Sequence, residues 1–224
     1  MRFNPHTLSA KDLRTMFARK CKHGHLYSEH PNCYFKEMGR TQKVGFIDIE
    51  TSNLDANYGI ILTYCILDDE TDEIIKRCID VTDLANGKFD KNLNKQLIQD
   101  MLQFDLLIGY FSTRFDIPFI RSRCLKWHLE FPIFKSIEHK DLYYMVKRLL
   151  KLNSNRLEVA TKFLSIRGKN HVLGDAWMKA VMCTGDIQKE ALAYILDHNV
   201  RDVHITKKLY HRLQNYDRGI TKSI

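Results

Sequence analysis

Asp48 and Glu50 stand one residue apart at the end of an apolar run, Lys43-Val-Gly-Phe-Ile-Asp48-Ile-Glu50-Thr51-Ser52. Val44, Phe46 and Ile47 predict a buried strand. Residues two apart on a strand point to the same face, so both acids project from one side of the sheet. Two anions held that close repel each other, and a hard divalent cation relieves the repulsion. The same spacing also fits one acid at the edge of the core and one in solvent, so the rest of the chain has to decide.

Two further acids bear on the choice. Asp116 lies in Ile108-Gly-Tyr-Phe-Ser-Thr-Arg-Phe115-Asp116-Ile-Pro-Phe119, where a strand gives way to a helix. That is the carboxyl edge of a sheet, where ligands sit in α/β folds. An acid that only stabilises a helix start would look the same. Asp202 closes His198-Asn-Val-Arg-Asp202, and the spacing puts His198 and Asp202 on one helix face. The pair is either a surface ion pair or a carboxylate ligand beside a histidine able to act as general base.

A second cluster lies near the N-terminus, in Cys21-Lys-His23-Gly-His25-Leu-Tyr-Ser-Glu-His30-Pro-Asn-Cys33. Cys21-x-x-Gly-His25 and His30-x-x-Cys33 have knuckle spacing, and turns at Gly24 and Pro31 bring each pair to one tetrahedral ion. We expect a structural zinc site made by Cys21, His25, His30 and Cys33, with His23 as the alternate ligand. An exposed polar loop or a Cys21–Cys33 disulfide are the alternatives. A disulfide is unusual inside a cell and leaves the histidines unexplained.

These residues need elements to hold them. Val44–Ile49, Gly59–Leu67 and Ile74–Val81 read as three strands of an antiparallel meander, with Asp68–Glu73 as a polar turn. Leu106–Tyr110 is a further buried strand. Helical spacing marks Lys91–Phe104 and a segment from Phe115 to about Trp127. After Pro132 the pattern is mostly helical: Asp141–Leu152, Leu157–Leu164, Ala176–Met182, Ile187–Leu196 and Val203–Leu213. Ser9-Ala-Lys-Asp12 is a capping pattern for a basic helix reaching about Lys20. The order predicts an α/β fold, a mixed sheet with helices on both faces. The one boundary falls near residues 36–43, giving an N-terminal basic helix and Cys/His element over 1–42 and a sheet domain over 43–224.

The chain has 224 residues, is 44% hydrophobic and carries a formal net charge of +8. That length allows one well-buried domain with a small appendage, and the positive balance suits a polyanionic partner such as nucleic acid. No apolar run reaches membrane-spanning length, and Met1–Ala10 lacks a signal-peptide pattern. We therefore expect a soluble cytoplasmic protein. Cys65, Cys78, Cys124 and Cys183 sit in apolar segments as free thiols of a reducing compartment.

Ile47-Asp48-Ile-Glu50-Thr51, Gly-Tyr…Phe115-Asp116…Phe119 and His198-Asn-Val-Arg-Asp202-Val203 together resemble the three motifs of the DEDD superfamily. These are ribonuclease-H-like 3′–5′ exonucleases, the group that includes polymerase proofreading domains. The resemblance runs from about Val44 to Leu213. Lys140-Asp141-Leu-Tyr-Tyr, Arg156-Leu157, Gly168-Lys169, Trp177 and Gly185-Asp186 are similar to stand-alone bacterial and phage members. It implies a ribonuclease-H-like mixed five-stranded sheet flanked by helices. It implies Asp48, Glu50, Asp116 and Asp202 as ligands of two Mg²⁺ or Mn²⁺, with His198 orienting or deprotonating water. Activity on 3′ ends follows, with single-stranded DNA favoured over RNA as the partner. Thr51, Ser52 and Leu54 would lie along the 3′ end of the strand. Apart from the resemblance, Arg114, Arg121, Arg123, Lys169 and Arg201 each fit a solvated helix face, or together the phosphate-tracking charge that a single strand needs.

The chain departs from the family twice. One branch has Tyr four residues before the last Asp and the other has His five before it, whereas His198 stands four before Asp202. Members often carry Asn shortly before Phe-Asp, and here Phe111 and Ser112 fill those slots. Phe111 is either core or a stacking surface for a base. Two other functions fit the same features: a structure-selective endonuclease of the same fold, and a non-catalytic nucleic-acid-binding module.

Overall fold

β-branched and aromatic residues at Val44–Thr51 (β1), Ile61–Asp68 (β2) and Ile74–Cys78 (β3) pair antiparallel in a meander. The computed structural model describes residues 5–39, 42–133, 136–168, 174–217 and 222–223. Leu106–Gly109 (β4) pairs parallel with β1, and Glu138–Asp141 (β5) parallel with β4. The strand order is β3-β2-β1-β4-β5, with Lys222–Ser223 (β6) added antiparallel at the far edge. The five strands make the expected mixed sheet. Every residue of β2 is buried, as a strand covered on both faces requires.

Alternation along β1 sorts its side chains to two faces. Ile47 and Ile49 join one core with Leu93, Leu97 and Met101 of α4 (Lys91–Met101) and with Ile117 and Ile120 of α5 (Asp116–Lys126). Phe46 joins the other core, with Leu142 and Val146 of α6 (Leu142–Leu149), Ala160 of α7 (Leu157–Phe163), and Val203 and Leu209. Val203 and Leu209 belong to α9 (Gly185–Leu213), which runs for 29 residues and crosses the sheet. Its N-terminal half packs Ala191, Leu192 and Ile195 against the first core, beside α8 (Asp175–Met182). No helix among the described residues is long and apolar enough to cross a membrane.

Three sequence expectations change. Ile187–Leu196 and Val203–Leu213 are one continuous helix: Asn199, which interrupts the apolar period, is fully buried against the sheet rather than breaking the helix. The segment after Pro132 contains a strand, β5, before its helices. Glu138-His-Lys-Asp141 has no apolar residue, but its burial alternates and His139 is only 2% exposed. Ile74–Val81 is also shorter than expected, because Asp80 caps a short helix at Val81–Ala85 (α3).

At the N-terminus, Ser9 caps α1 (Ala10–Ala18) in a reciprocal box with Asp12, as expected. Asp12 also accepts from the Tyr34 hydroxyl at 2.6 Å, tying α1 to α2 (Pro31–Glu37). Leu8, Met16, Cys21, Tyr27 and Tyr34 form a small separate core. It touches the sheet through the Thr7 hydroxyl, which donates to Asp105 at 2.5 Å.

Candidate active site

Phe46, Asp48 and Glu50 share the face of β1 that α9 covers. α9 runs past the strand's end with His198 and Asp202 one turn apart. The ligand atoms of Glu50, His198 and Asp202 lie within 4.8 Å of one another. His198 Nε2 is 3.6 Å from Glu50 Oε1 and 3.7 Å from Asp202 Oδ2. The Trp177 ring meets the His198 ring edge-on at 5.7 Å and limits how it can turn. Asn199, the residue after His198, donates from Nδ2 to Asp48 Oδ2 at 2.8 Å. Asp48 is thereby fixed to the same helix.

Asp116 opens α5 in the crevice beyond the end of β4. It is 3% exposed, and its Oδ1 accepts from the backbone N–H of Ile49, between the two strand acids, at 3.1 Å. Burial pushes its carboxyl up to about 7; the Ile49 N–H offsets this in part and the Asp141 charge adds to it.

The sign of the resulting pH dependence is fixed. In the unfolded chain this acid titrates near 3.9. Its contribution to stability is therefore most favourable below about pH 4, declines as pH rises toward about 7, and is flat above that. Asp116→Asn keeps an oxygen for the Ile49 N–H and removes the charge. We expect it to raise the melting temperature of metal-free protein more at pH 8 than at pH 5, by up to about 4 kcal/mol of stability. Thermal melts in chelator at the two pH values check this; an equal change at both contradicts it.

The acids suit a divalent cation by chemistry and by what they lack. Asp202 Oδ1 is buried and has no hydrogen-bond partner among the described residues. A buried carboxylate oxygen in that state calls for an ion or water. The group that meets within 4.8 Å is Glu50, His198 and Asp202; Asp48, bonded to Asn199, and Asp116, bonded to the Ile49 N–H, are not part of it. Carboxylate oxygens are the donors that Mg²⁺ and Mn²⁺ prefer.

The loop between β4 and α5 is held from β5. Asp141 accepts from the N–H groups of Phe111 at 2.8 Å and Thr113 at 2.9 Å, while also capping α6 at Tyr143. Ser112 Oγ lies 2.8 Å from His139 Nε2. Phe111 is 43% exposed, which excludes a core role. At the end of β1, the Ser52 hydroxyl accepts from the Ile60 N–H and the Thr51 hydroxyl donates to the Asn53 carbonyl. Leu54, on that turn, is 80% exposed.

Of the basic residues, Arg123 serves the fold and is unavailable to phosphates. It is 3% exposed and bonded through two nitrogens to Asp90, which also accepts from Trp127 Nε1 and the Ile61 N–H. Arg114 donates to the Tyr144 hydroxyl, Arg121 covers the Phe131 ring, and Arg201 pairs with Asp197. Lys169 lies outside the described residues. The sequence left Asn199, Asp141 and Trp177 without roles. The only traces of the first two in the sequence are slight: a polar Asn199 inside an apolar period, and Asp141 before a helical run.

The N-terminal cluster is Cys21, His23, His30 and Cys33. Cys21 Sγ lies 3.8 Å and 3.5 Å from Nδ1 of His23 and His30, and Cys33 Sγ lies 3.3 Å and 3.5 Å from the same atoms. A tetrahedral zinc with its usual bond lengths sets S···N edges of about 3.6 Å, so this donor set could hold zinc. His23 takes the place expected for His25. The turn at Gly24, with φ +83°, is the reason. The Cys21 N–H donates to the His25 carbonyl across it, and the His25 ring sits edge-on to His30 at 5.6 Å.

Residues 45–214 match the family described as the RNase_H superfamily. The fold is similar to that of the family B DNA polymerase from the hyperthermophilic archaeon Pyrobaculum calidifontis, with a TM-score of 0.60 at 15% identity. The match covers 79% of this chain and 25% of the polymerase. No curated protein matches the sequence.

Proposed function

The chain belongs to the RNase_H superfamily, and from its acidic cluster we propose that it is a metal-dependent 3′–5′ exonuclease acting on single-stranded DNA. The observation that carries this is the meeting of Glu50, His198 and Asp202 within 4.8 Å, around a buried Asp202 oxygen that has no partner among the described residues. A module that only bound nucleic acid would gain nothing from acids facing phosphates.

Asp48, Glu50, Asp116 and Asp202 would hold two Mg²⁺ or Mn²⁺. When bound, such a pair activates a water and stabilises the leaving 3′ oxygen. The protein supplies the rest. His198 Nε2, between Glu50 and Asp202, takes the proton of the attacking water. Trp177 and the two carboxylates keep its ring in place. Asn199 presents Asp48 from the same helix, so β1 and α9 fix the acids relative to one another. Thr51, Ser52, exposed Leu54 and Phe111 border the path of the terminal nucleotides. DNA is favoured as the strand by the likeness to a DNA polymerase. Residues 1–42 would form a zinc-bearing element attached to the catalytic domain over 43–224.

A circular single strand separates this function from an endonuclease of the same fold. We expect Mg²⁺-dependent loss of the linear form while the circle persists. Linearisation of the circle at a comparable rate would assign the site to internal cleavage.

A further inference from the structure

Phe111 combines two costs. Its backbone φ is +60°, a region a bulky side chain seldom occupies, and its ring is 43% exposed. Neither is forced by the core, because the ring does not fill it. The conformation is imposed from outside: Asp141 takes the Phe111 N–H, and the Phe111 carbonyl accepts from the N–H groups of Arg114 and Phe115. Backbone strain maintained around an exposed aromatic ring points to a contact outside the fold.

The ring borders a cavity of about 550 Å³. Tyr143 meets Phe111 edge-on at 5.0 Å and Tyr110 at 6.3 Å, so three aromatic rings form one wall. The turn leading into α7, with Ser154, Asn155 and Arg156, also lines it, and Glu158 joins from the first turn of that helix. The turn is fastened to the aromatic wall by the Tyr110 hydroxyl, which donates to the Asn155 carbonyl at 2.5 Å. Aromatic rings gathered with an amide, a guanidinium and a carboxylate around one cavity match a nucleobase: its face stacks on the exposed Phe111 ring and its polar edge meets the polar groups. The cavity opens beside the loop that delivers Asp116.

We propose that this cavity receives one unpaired base of the substrate strand, close to the scissile end, with Phe111 as the stacking surface. The inference rests on the nucleic-acid function proposed above and goes further: it makes the pocket the feature that selects single strands, since a base held in a duplex cannot enter it.

The test uses the full chain and a short fluorescent single-stranded DNA, with Ca²⁺ in place of Mg²⁺ so that the strand survives. Asparagine tolerates the left-handed region, so Phe111→Asn removes the ring without disturbing the loop. We expect Phe111→Asn to weaken binding about tenfold, the size of one lost base stack, with a melting temperature no lower than that of the parent. In a series of strands with one abasic position moved inward from the 3′ end, the parent should lose affinity at one position, and Phe111→Asn should lose that dependence. Blunt duplex should bind both proteins equally. Equal affinity of both proteins for every single strand overturns the proposal, as does a fall in melting temperature of several degrees, which would make the ring a packing residue. A strand that shows the abasic signature but is not shortened in Mg²⁺ refutes the exonuclease and leaves the pocket standing.

Discussion

Asp202→Asn is expected to abolish Mg²⁺-dependent digestion of a single strand, lowering the rate by about 10³-fold or more, without lowering the stability of the metal-free protein. Both halves follow from one placement. Asp202 shares a helix face with His198 and looks across to Glu50, and its Oδ1 is buried with no partner among the described residues. The amide is nearly the same shape, so α9 keeps its packing. It carries no charge, so it is a poor ligand for a hard cation. Without metal, the neutral side chain also removes one of several anions held together, which favours the fold. Opposite signs in activity and stability are the signature of a residue that serves a ligand rather than the core. Asp197→Asn is the control on the same helix: Asp197 is half exposed and pairs with Arg201, and its loss should leave digestion unchanged. Activity of Asp202→Asn within tenfold of the parent would remove this residue from the centre.

The second large effect concerns the N-terminal element. Cys33→Ser is expected to release one zinc per chain and to unfold residues 5–39, leaving the sheet domain folded. The small core of Leu8, Met16, Cys21, Tyr27 and Tyr34 is too little apolar surface to order such a segment unaided. A structural zinc supplies on the order of 10 kcal/mol in comparable small elements. Native mass spectrometry reads the metal, and limited proteolysis reads the unfolding as new cuts confined to this element. His23→Ala should behave like Cys33→Ser, and His25→Ala like the parent, because His23 belongs to the four-residue cluster and His25 does not. Zinc retained in Cys33→Ser, with the element still resistant to protease, would contradict the assignment.

The parts of this fold that could be foreseen are those in which local pattern and tertiary role agree. β1 reads as a strand because Val44, Phe46, Ile47 and Ile49 are apolar. Its two acids stand out against them, and the same spacing that marks them puts them on one face. The parts that were hidden are polar residues with buried partners. β5 has no apolar residue, and its strand geometry comes from pairing with β4 and from His139, which lies against Ser112. α9 reads as two helices because His198 and Asn199 interrupt its apolar period. Those residues face Glu50 and Asp48, which no periodicity can reveal. Arg123 reads as a solvated cation until Asp90 is found beside it, also buried. The choice between His23 and His25 depends on the direction of a turn at Gly24, and both spacings are compatible with the sequence. The motifs thus named the acids, while the roles of Asn199 on Asp48, Asp141 on the loop before Asp116 and Trp177 against His198 emerge from the packing.

The most direct measurement is a time course on a 5′-labelled single strand with Mg²⁺. The arrangement of Asp48, Glu50, Asp116 and Asp202 proposed here predicts a ladder that shortens from the 3′ end one nucleotide at a time and stops when chelator is added. A strand that stays intact in both Mg²⁺ and Mn²⁺, or one that loses its 5′ label as a mononucleotide at the earliest times, would contradict it.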